Sequence, residues 1–395
     1  MKEKIKELAK QYKQEVIAVR RHLHANPELS FNEEKTSVYV QNLLKKEGVE
    51  FKNGIAGHGI VALIKGNNPT KKTIALRADM DALPITEAND VPYKSTNQGV
   101  MHACGHDAHT ANLFGAVKIL NQLKNNFEGT IKCVFQPAEE KFPGGAKIMI
   151  EEGVLQNPDV ELIIGQHVHP PMQVGKVGFA SGKYMASADE IFITVNGKGG
   201  HAADPRNFID PIYATSQLIC NLQQTISRLA PPNVPTVLSF GKINSVGGYN
   251  NIIPNAVKID GTFRTMEEDW RHEAHKHIRR IAEGTALSTQ CTIDVDINVG
   301  YPHLINNPIL AERCKQAAIS FLGNELVEDL PIRMGAEDFA YYTQQIPGCF
   351  YRLGIRNEEK GITSNLHTTT FDIDEEALET GVGLMAWLAL SELSN

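Results

Sequence analysis

Apolar residues at Tyr12, Val16, Val19 and Leu23 recur every three or four positions, which predicts an amphipathic helix stopped by Asn26-Pro27. Asn32 reads as the cap of a second helix that Gly48 ends. GIVALIKG (59–66) and TIALRAD (73–79) are short, largely apolar and strand-like. After a long polar loop the pattern turns helical from about Asp107 to Leu123. TIKCVFQ (130–136) and VELIIGQ (160–166) are two more strand-length runs, separated by a short helical stretch after Gly144-Gly145. Strands alternating with helices predict an α/β layer architecture.

The middle of the chain changes character. ASADEIFITVNG (186–197) alternates as a strand does, and residues 209–228 carry a helical pattern. TVLSFGKINSV (236–246) and AVKIDGTFRT (256–265) read as two strands joined through glycines and asparagines. Residues 267–287 are helical again, and TIDVDINVG (292–300) alternates strictly. This β-α-β-β-α-β order is the split βαβ pattern of a small α+β domain. It predicts an inserted satellite domain over 184–299, inside a domain built from 1–183 and 300–395. Asn307-Pro308 opens a helix in the last stretch, and a final helix is expected from about Asp374 towards Leu393.

At 395 residues the chain is long enough for two domains. Its 39 basic and 46 acidic residues give a net charge of −7, which argues against gripping nucleic acid or an anionic membrane. No apolar run approaches membrane-span length, and the N-terminal MKEKIKELAKQYKQE lacks the apolar centre of a secretory signal, so a cytoplasmic chain is expected. The six cysteines are too sparse for a disulfide scaffold. Cys133, Cys220, Cys291, Cys314 and Cys349 read as small packing residues; Cys104 stands apart.

The reactive residues fall at strand ends. Asp79 and Asp81 follow TIALRA, Glu139 and Glu140 follow TIKCVFQPA, and His167 follows VELIIGQ. Open α/β sheets bind ligands beyond their strand carboxyl ends, so neighbouring strands deliver carboxylates and an imidazole to one edge. The cluster Met101-His102-Ala103-Cys104-Gly105-His106-Asp107-Ala108-His109, in a loop feeding a helix, adds a thiol and imidazoles, and zinc-like divalent ions accept sulfur, nitrogen and carboxylate oxygen together. Of two adjacent carboxylates, one can bind metal while the other acts as general base on the attacking water. Other acidic pairs, Glu33-Glu34, Glu151-Glu152 and Glu375-Glu376, read as solvated loops. His201, in the glycine-rich 197–203 stretch, suits an imidazole aimed at a ligand. Spacing alone does not bring His367 to the metal. Gly335-Ala336-Glu337-Asp338-Phe339 is an acidic loop suited to orienting groups behind the site. His22, His24, His58, His303 and the run His272, His275, His277 read as surface or packing residues.

Together these motifs resemble the amidohydrolase branch of the aminoacylase and glutamate carboxypeptidase clan, with its hippurate, auxin-conjugate and N-acetyl-diaminopimelate hydrolases. The resemblance spans the chain: Arg20-Arg21-His22-Leu23-His24, Ala78-Asp79-Met80-Asp81-Ala82-Leu83-Pro84, the Cys104 loop, Gln136-Pro137-Ala138-Glu139-Glu140, His167-Val168-His169-Pro170, Gly199-Gly200-His201-Ala202 and residues 335–339. It implies an aminopeptidase-like catalytic domain, a mixed sheet flanked by helices, interrupted by the satellite domain. It further implies two divalent ions (zinc, manganese, cobalt or nickel) held by Cys104, His106, Glu140, His167 and His367, with Cys104 as bridge. Glu139 would be the base, and His201 would polarise the scissile carbonyl, from its own or a partner subunit. Asn251 and Arg264 would grip the substrate carboxylate. Where the wider clan has His-x-Asp, this chain has Asp79-Met80-Asp81. Asp79 therefore stays open between ligand and supporting role, and Asp81 is expected to support.

The implied activity is metal-dependent hydrolysis of N-acyl amino acids, acetyl or aromatic, by a homodimer or dimer of dimers. The rivals are a dipeptidase or carboxypeptidase on the same site, and a protein that binds metal or ligand without turnover.

Overall fold

The computed structural model describes residues 1–394. The chain divides into two compact units: one from Met1–Lys183, Ile305–Ile332 and the chain from Asp338 on, the other from Tyr184–Leu304 and Arg333–Glu337. Among the described residues, no helix is long and apolar enough to cross a membrane.

The first unit is built on an eight-stranded mixed sheet. Its order is Glu50–Ile55, Gly59–Lys65, Thr130–Gln136, Thr73–Asp79, Leu162–Gln173, Gly348–Arg356, Val177–Phe179 and Val327–Asp329. The strands from Thr130–Gln136 to Gly348–Arg356 are mutually parallel, and the outer pairings include antiparallel ones. Thr73–Asp79 and Thr130–Gln136 are buried at every position. That explains their lack of alternation, because parallel strands covered on both faces need apolar residues throughout. Three helices, Lys2–Ala25, His106–Gln122 and Ala377–Ser394, pack on one another. The middle one is buried along nearly its whole length.

The second helix corrects the expected cap. It runs Glu34–Lys46 and Asn32 gives it no side-chain cap; instead the Glu28 carboxylate accepts from the backbone N–H and hydroxyl of Thr36, at 2.8 and 3.0 Å. A carboxylate beside the exposed N–H groups of a first turn meets the same need. The helix expected at Asn307-Pro308 does open there, and the Asn307 side chain caps it by accepting from Ile309 and Leu310 N–H.

The second unit is a four-stranded antiparallel sheet ordered Thr236–Val246, Ala256–Thr265, Asp189–Asn196 and Thr292–Val299. Helices Pro211–Leu222 and Glu268–Thr289 join its strands in the β-α-β-β-α-β order. Asp189, Ile191, Ile193 and Val195 are buried in alternation along one strand. The unit takes in more chain than the strand pattern indicated. Residues 333–337 join because Arg333 bridges to Met185 and its N–H donates to the Tyr184 carbonyl, and Gly300 joins through its N–H to Asp189. The helical pattern after residue 209 stops at Leu222 and finishes in a wider turn over Thr225–Leu229. Cys220, expected to pack, is exposed on that helix.

One buried carboxylate anchors this unit. Asp189 accepts from two nitrogens of Arg271, from His275 Nε2 at 2.6 Å and from Gly300 N–H at 3.1 Å. Removing one partner of a buried charge set leaves the others desolvated and unpaired. Asp189→Ala is therefore expected to destabilise the protein by about 3 kcal/mol or more. Urea denaturation measures this, and an unchanged midpoint would contradict the anchoring role.

Candidate metal centre and active site

The site grows out of the strand ends. Asp79 stands in register with Gln136, and Arg77 with Gly165, which puts His167 two residues beyond the neighbouring pair. After Gln136 the chain turns through Ala138 at φ +53°, in the left-handed region that costs a non-glycine residue about 1 kcal/mol. Its N–H donates to Glu33 Oε1 at 2.7 Å and its carbonyl accepts from Gly145 N–H at 2.8 Å. A Cβ on Gly145 would lie 1.8 Å from the Pro137 carbonyl oxygen, so only glycine closes this turn. The turn presents Glu139 and Glu140. On the facing loop, Gly105 (φ +85°) sits between Cys104 and the helix that begins at His106, and a Cβ there would strike Val168.

The structure brings together the five metal-ligand candidates. Cys104, His106 and His167 present donor atoms within 4.8 Å of one another, and so do Cys104, Glu140 and His367. The two triads share Cys104. His367, which spacing could not place, arrives on a loop whose N–H donates to the Ala103 carbonyl at 2.8 Å; its own φ of +60° is left-handed. His106, Glu139 and Glu140 form a third overlapping group.

The donor chemistry fits divalent ions. His106 Nε2 is buried and makes no hydrogen bond, and the buried Glu140 Oε1 faces His367 Nε2 at 3.3 Å. His167 directs Nε2 to within 3.5 Å of the Cys104 sulfur because its Nδ1–H donates to the Val168 carbonyl at 2.7 Å. Burial, with Glu140, Glu139 and Asp79 nearby, pushes the Cys104 thiol well up. Burial opposes a charged His106, yet Asp79 and Asp81 overcome it and push that ring up to about 10. A cluster that raises its histidine so far attracts positive charge, as carboxylate-rich metal sites do.

Supporting groups surround these donors. Asp81 Oδ1 lies 3.1 Å from His106 Nδ1, while Oδ2 accepts from Ser30 Oγ at 2.6 Å and Glu140 N–H at 2.9 Å. That arrangement turns His106 Nε2 toward the cluster, as carboxylates behind metal-binding imidazoles do. Asp79, left open by the sequence, spends Oδ1 on His109 Nδ1 at 2.6 Å and Oδ2 on Arg77 Nη1 at 2.6 Å. Burial resists its ionisation, but His106, Arg77 and His109 hold it well below the usual carboxylate range. Arg77 also reaches Gln136 and Asp338, and Asp338, from the acidic loop, accepts from Gln136 and from Ala146 N–H.

Sequence reasoning gave no role to Arg77 or Glu33, and placed His109 in the donor cluster without a role of its own. Glu33 is fully buried, which corrects its reading as part of a solvated pair. His24 is buried too, with Nδ1 2.7 Å from Asp107, whose carboxylate also takes Arg20 Nε at 2.7 Å. The candidates His201, Asn251 and Arg264 belong to the second unit. There Gly200–His201 pairs with Ile252–Ile253, Ala202 N–H donates to the Asn251 carbonyl, and Arg264 lies on the Ala256–Thr265 strand.

A sheet that gathers thiol, imidazole and carboxylate donors at its strand ends, with a further carboxylate beside them, defines a metal-dependent hydrolase of the α/β class. The chain belongs to peptidase family M20/M25/M40, whose model matches residues 75–391. It is 43% identical to an N-acyl-L-amino acid amidohydrolase of Geobacillus stearothermophilus, over 77% of this chain and 81% of that one. It is 39% identical to thermostable carboxypeptidase 2 of Saccharolobus solfataricus, over 98% of both. Among solved structures, the YxeP protein of Bacillus subtilis, a dinuclear metal-binding peptidase of the M20 family, superposes with a TM-score of 0.83 at 34% identity, covering 98% of this chain and 99% of that one.

Glu33 yields a pH test. Burial, together with Asp81, pushes its carboxyl up to about 7 from 4.5. A carboxyl with a raised folded-state pKa contributes stability that is complete below 4.5 and is lost as pH rises through about 7. Glu33→Gln keeps the neutral acceptor for Ala138, so its stability relative to wild type should rise between pH 5 and pH 8, by at most roughly 3 kcal/mol. Urea melts of both metal-stripped proteins across that range measure the gap. A gap independent of pH would contradict the assignment.

Proposed function

We propose that this protein hydrolyses N-acyl amino acids to a carboxylic acid and a free amino acid at a dinuclear metal site. The observation that carries the proposal is the sharing of Cys104 by two donor triads, with Glu139 beside them. Cys104, His106 and His167 would hold one ion, and Cys104, Glu140 and His367 the other, with Asp81 orienting His106. Zinc, manganese, cobalt and nickel all suit this mixed sulfur, nitrogen and oxygen set. When bound, such ions polarise a carbonyl and make water a better nucleophile.

Glu139 does the proton work. Its carboxylate is almost fully buried and lies 4.0 Å from His106 Nε2. It removes a proton from the attacking water, holds it, and delivers it to the departing amide nitrogen, so that a neutral amine leaves. His201 polarises the substrate carbonyl, while Asn251 and Arg264 bind its carboxylate; these roles rest on the family resemblance. The amidohydrolase relative favours an N-acyl substrate, and the carboxypeptidase relative supports the peptidase alternative. We also propose a homodimer or dimer of dimers. Support comes from the second unit's edge strand Thr236–Val246, which leaves Ile243 and Val246 exposed; a monomeric mass in solution would contradict it.

Metal-stripped protein is expected to be inactive and to regain activity with one or more of the four ions. Amine release from N-acetyl and N-aroyl amino acids should exceed release from dipeptides; the reverse preference makes the protein a peptidase. Glu139→Gln should lower kcat by about 100-fold or more while metal content, read by elemental analysis, stays at the wild-type level. Undiminished turnover in that variant would remove Glu139 as the base.

A further inference from the structure

His109 lies one helical turn beyond the Cys104 loop and takes no part in the proposed chemistry, yet both of its ring nitrogens are committed. Nδ1 lies 2.6 Å from Asp79 Oδ1, and Nε2 lies 2.9 Å from the backbone N–H of Val168. These partners fix the ring's state. A carboxylate oxygen can only accept, so Nδ1 carries the proton; a backbone N–H can only donate, so Nε2 carries a lone pair. A doubly protonated ring would set two N–H groups against each other at Val168.

Val168 is clamped in turn. Its N–H is held by His109 and its carbonyl takes the Nδ1–H of His167, which leaves His167 Nε2 facing the Cys104 sulfur. The two imidazoles also pack directly on each other, with ring centroids 4.5 Å apart. Behind them the chain of contacts continues through Asp79 to Arg77 Nη1 at 2.6 Å, and from Arg77 Nη2 to Asp338 Oδ1 at 2.8 Å. Every side chain in this relay is buried.

We infer that His109 is a positioning residue: by accepting the Val168 N–H in a tautomer imposed by Asp79, it fixes the ring orientation and tautomer of His167 and so sets the site's affinity for metal. The inference rests on the metal-centre reading above. Groups behind a metal-binding imidazole commonly change metal affinity 10–100-fold when removed. The relay differs from the carboxylate–histidine arrangement at Asp81 and His106 because the orienting group acts through backbone.

The test compares His109→Leu and His109→Gln with wild type, all stripped and titrated with cobalt(II) alone. Affinity and the visible thiolate–cobalt absorption are the readouts, and circular dichroism checks folding. Gln places an acceptor oxygen near the position of Nε2; Leu fills similar volume without one. The expected result is affinity at least about 10-fold weaker and an altered absorption in His109→Leu, with His109→Gln substantially restored. Wild-type affinity and spectrum in His109→Leu would overturn the inference, as would equal weakening in both variants, which would trace the effect to packing. Wild type that binds no cobalt would overturn the metal-centre reading and this inference with it, an outcome distinct from the other two. Should His109→Leu not fold, ring 15N shifts of histidine-labelled wild-type zinc protein, assigned with His109→Gln, decide the matter. A protonated Nδ1 and bare Nε2 on His109 support the relay, and the opposite tautomer overturns it.

Discussion

The guanidinium of Arg77, fully buried beneath the strand ends, holds the site in shape because each face of its fork ends on a different segment of chain. Nε reaches Gln136 on the neighbouring strand, Nη1 reaches Asp79 on its own strand, and Nη2 reaches Asp338 from a distant loop. A planar, permanently charged group with fixed donor directions can do this; a lysine ammonium cannot match the same fork. Burying such a charge is unfavourable unless its partners are well placed, so the arrangement resists partial rearrangement: loss of one partner leaves the rest desolvated. The turn carrying Glu139 and Glu140 begins beside Gln136, and the imidazole pair of His109 and His167 is reached through Asp79. Both halves of the donor cluster are thus tied to one fully buried cation.

The strand ends were legible because a period of hydrophobicity and a reactive residue at its carboxyl terminus are both local properties of sequence. The split βαβ order of the second unit was legible for the same reason, each strand alternating and each helix long. Pairwise geometry was not. Arg77 sits inside the apolar run TIALRAD and carries no signal beyond being a charge where a charge is costly, though that incongruity could have flagged it. Glu33 shares its charged-pair appearance with Glu151-Glu152 and Glu375-Glu376, and only burial against the Ala138 turn separates them. Asn32 lost its capping role to Glu28, which lies farther back along the chain than a local capping pattern reaches. His367 needed a tertiary fold to meet Glu140, from which it lies 3.3 Å away.

Backbone strain and small residues collect where the donors are delivered. Ala138 and His367 adopt left-handed conformations, while Gly105 and Gly145 stand where a Cβ would collide with Val168 or Pro137. These positions are unfavourable taken singly, by about 1–3 kcal/mol for a strained non-glycine residue, and they persist only when the surroundings over-determine them. Here the surroundings do. Ala138 is held at its N–H by Glu33 and at its carbonyl by Gly145, and the His367 N–H is held by the Ala103 carbonyl, one residue before Cys104. The deeply buried helix that starts at His106 supplies a rigid base on the other side. Donors carried on short, strained turns braced by a rigid sheet and helix have little freedom to drift apart. A site in which two triads share one sulfur needs that rigidity, because movement of Cys104 alone would open both.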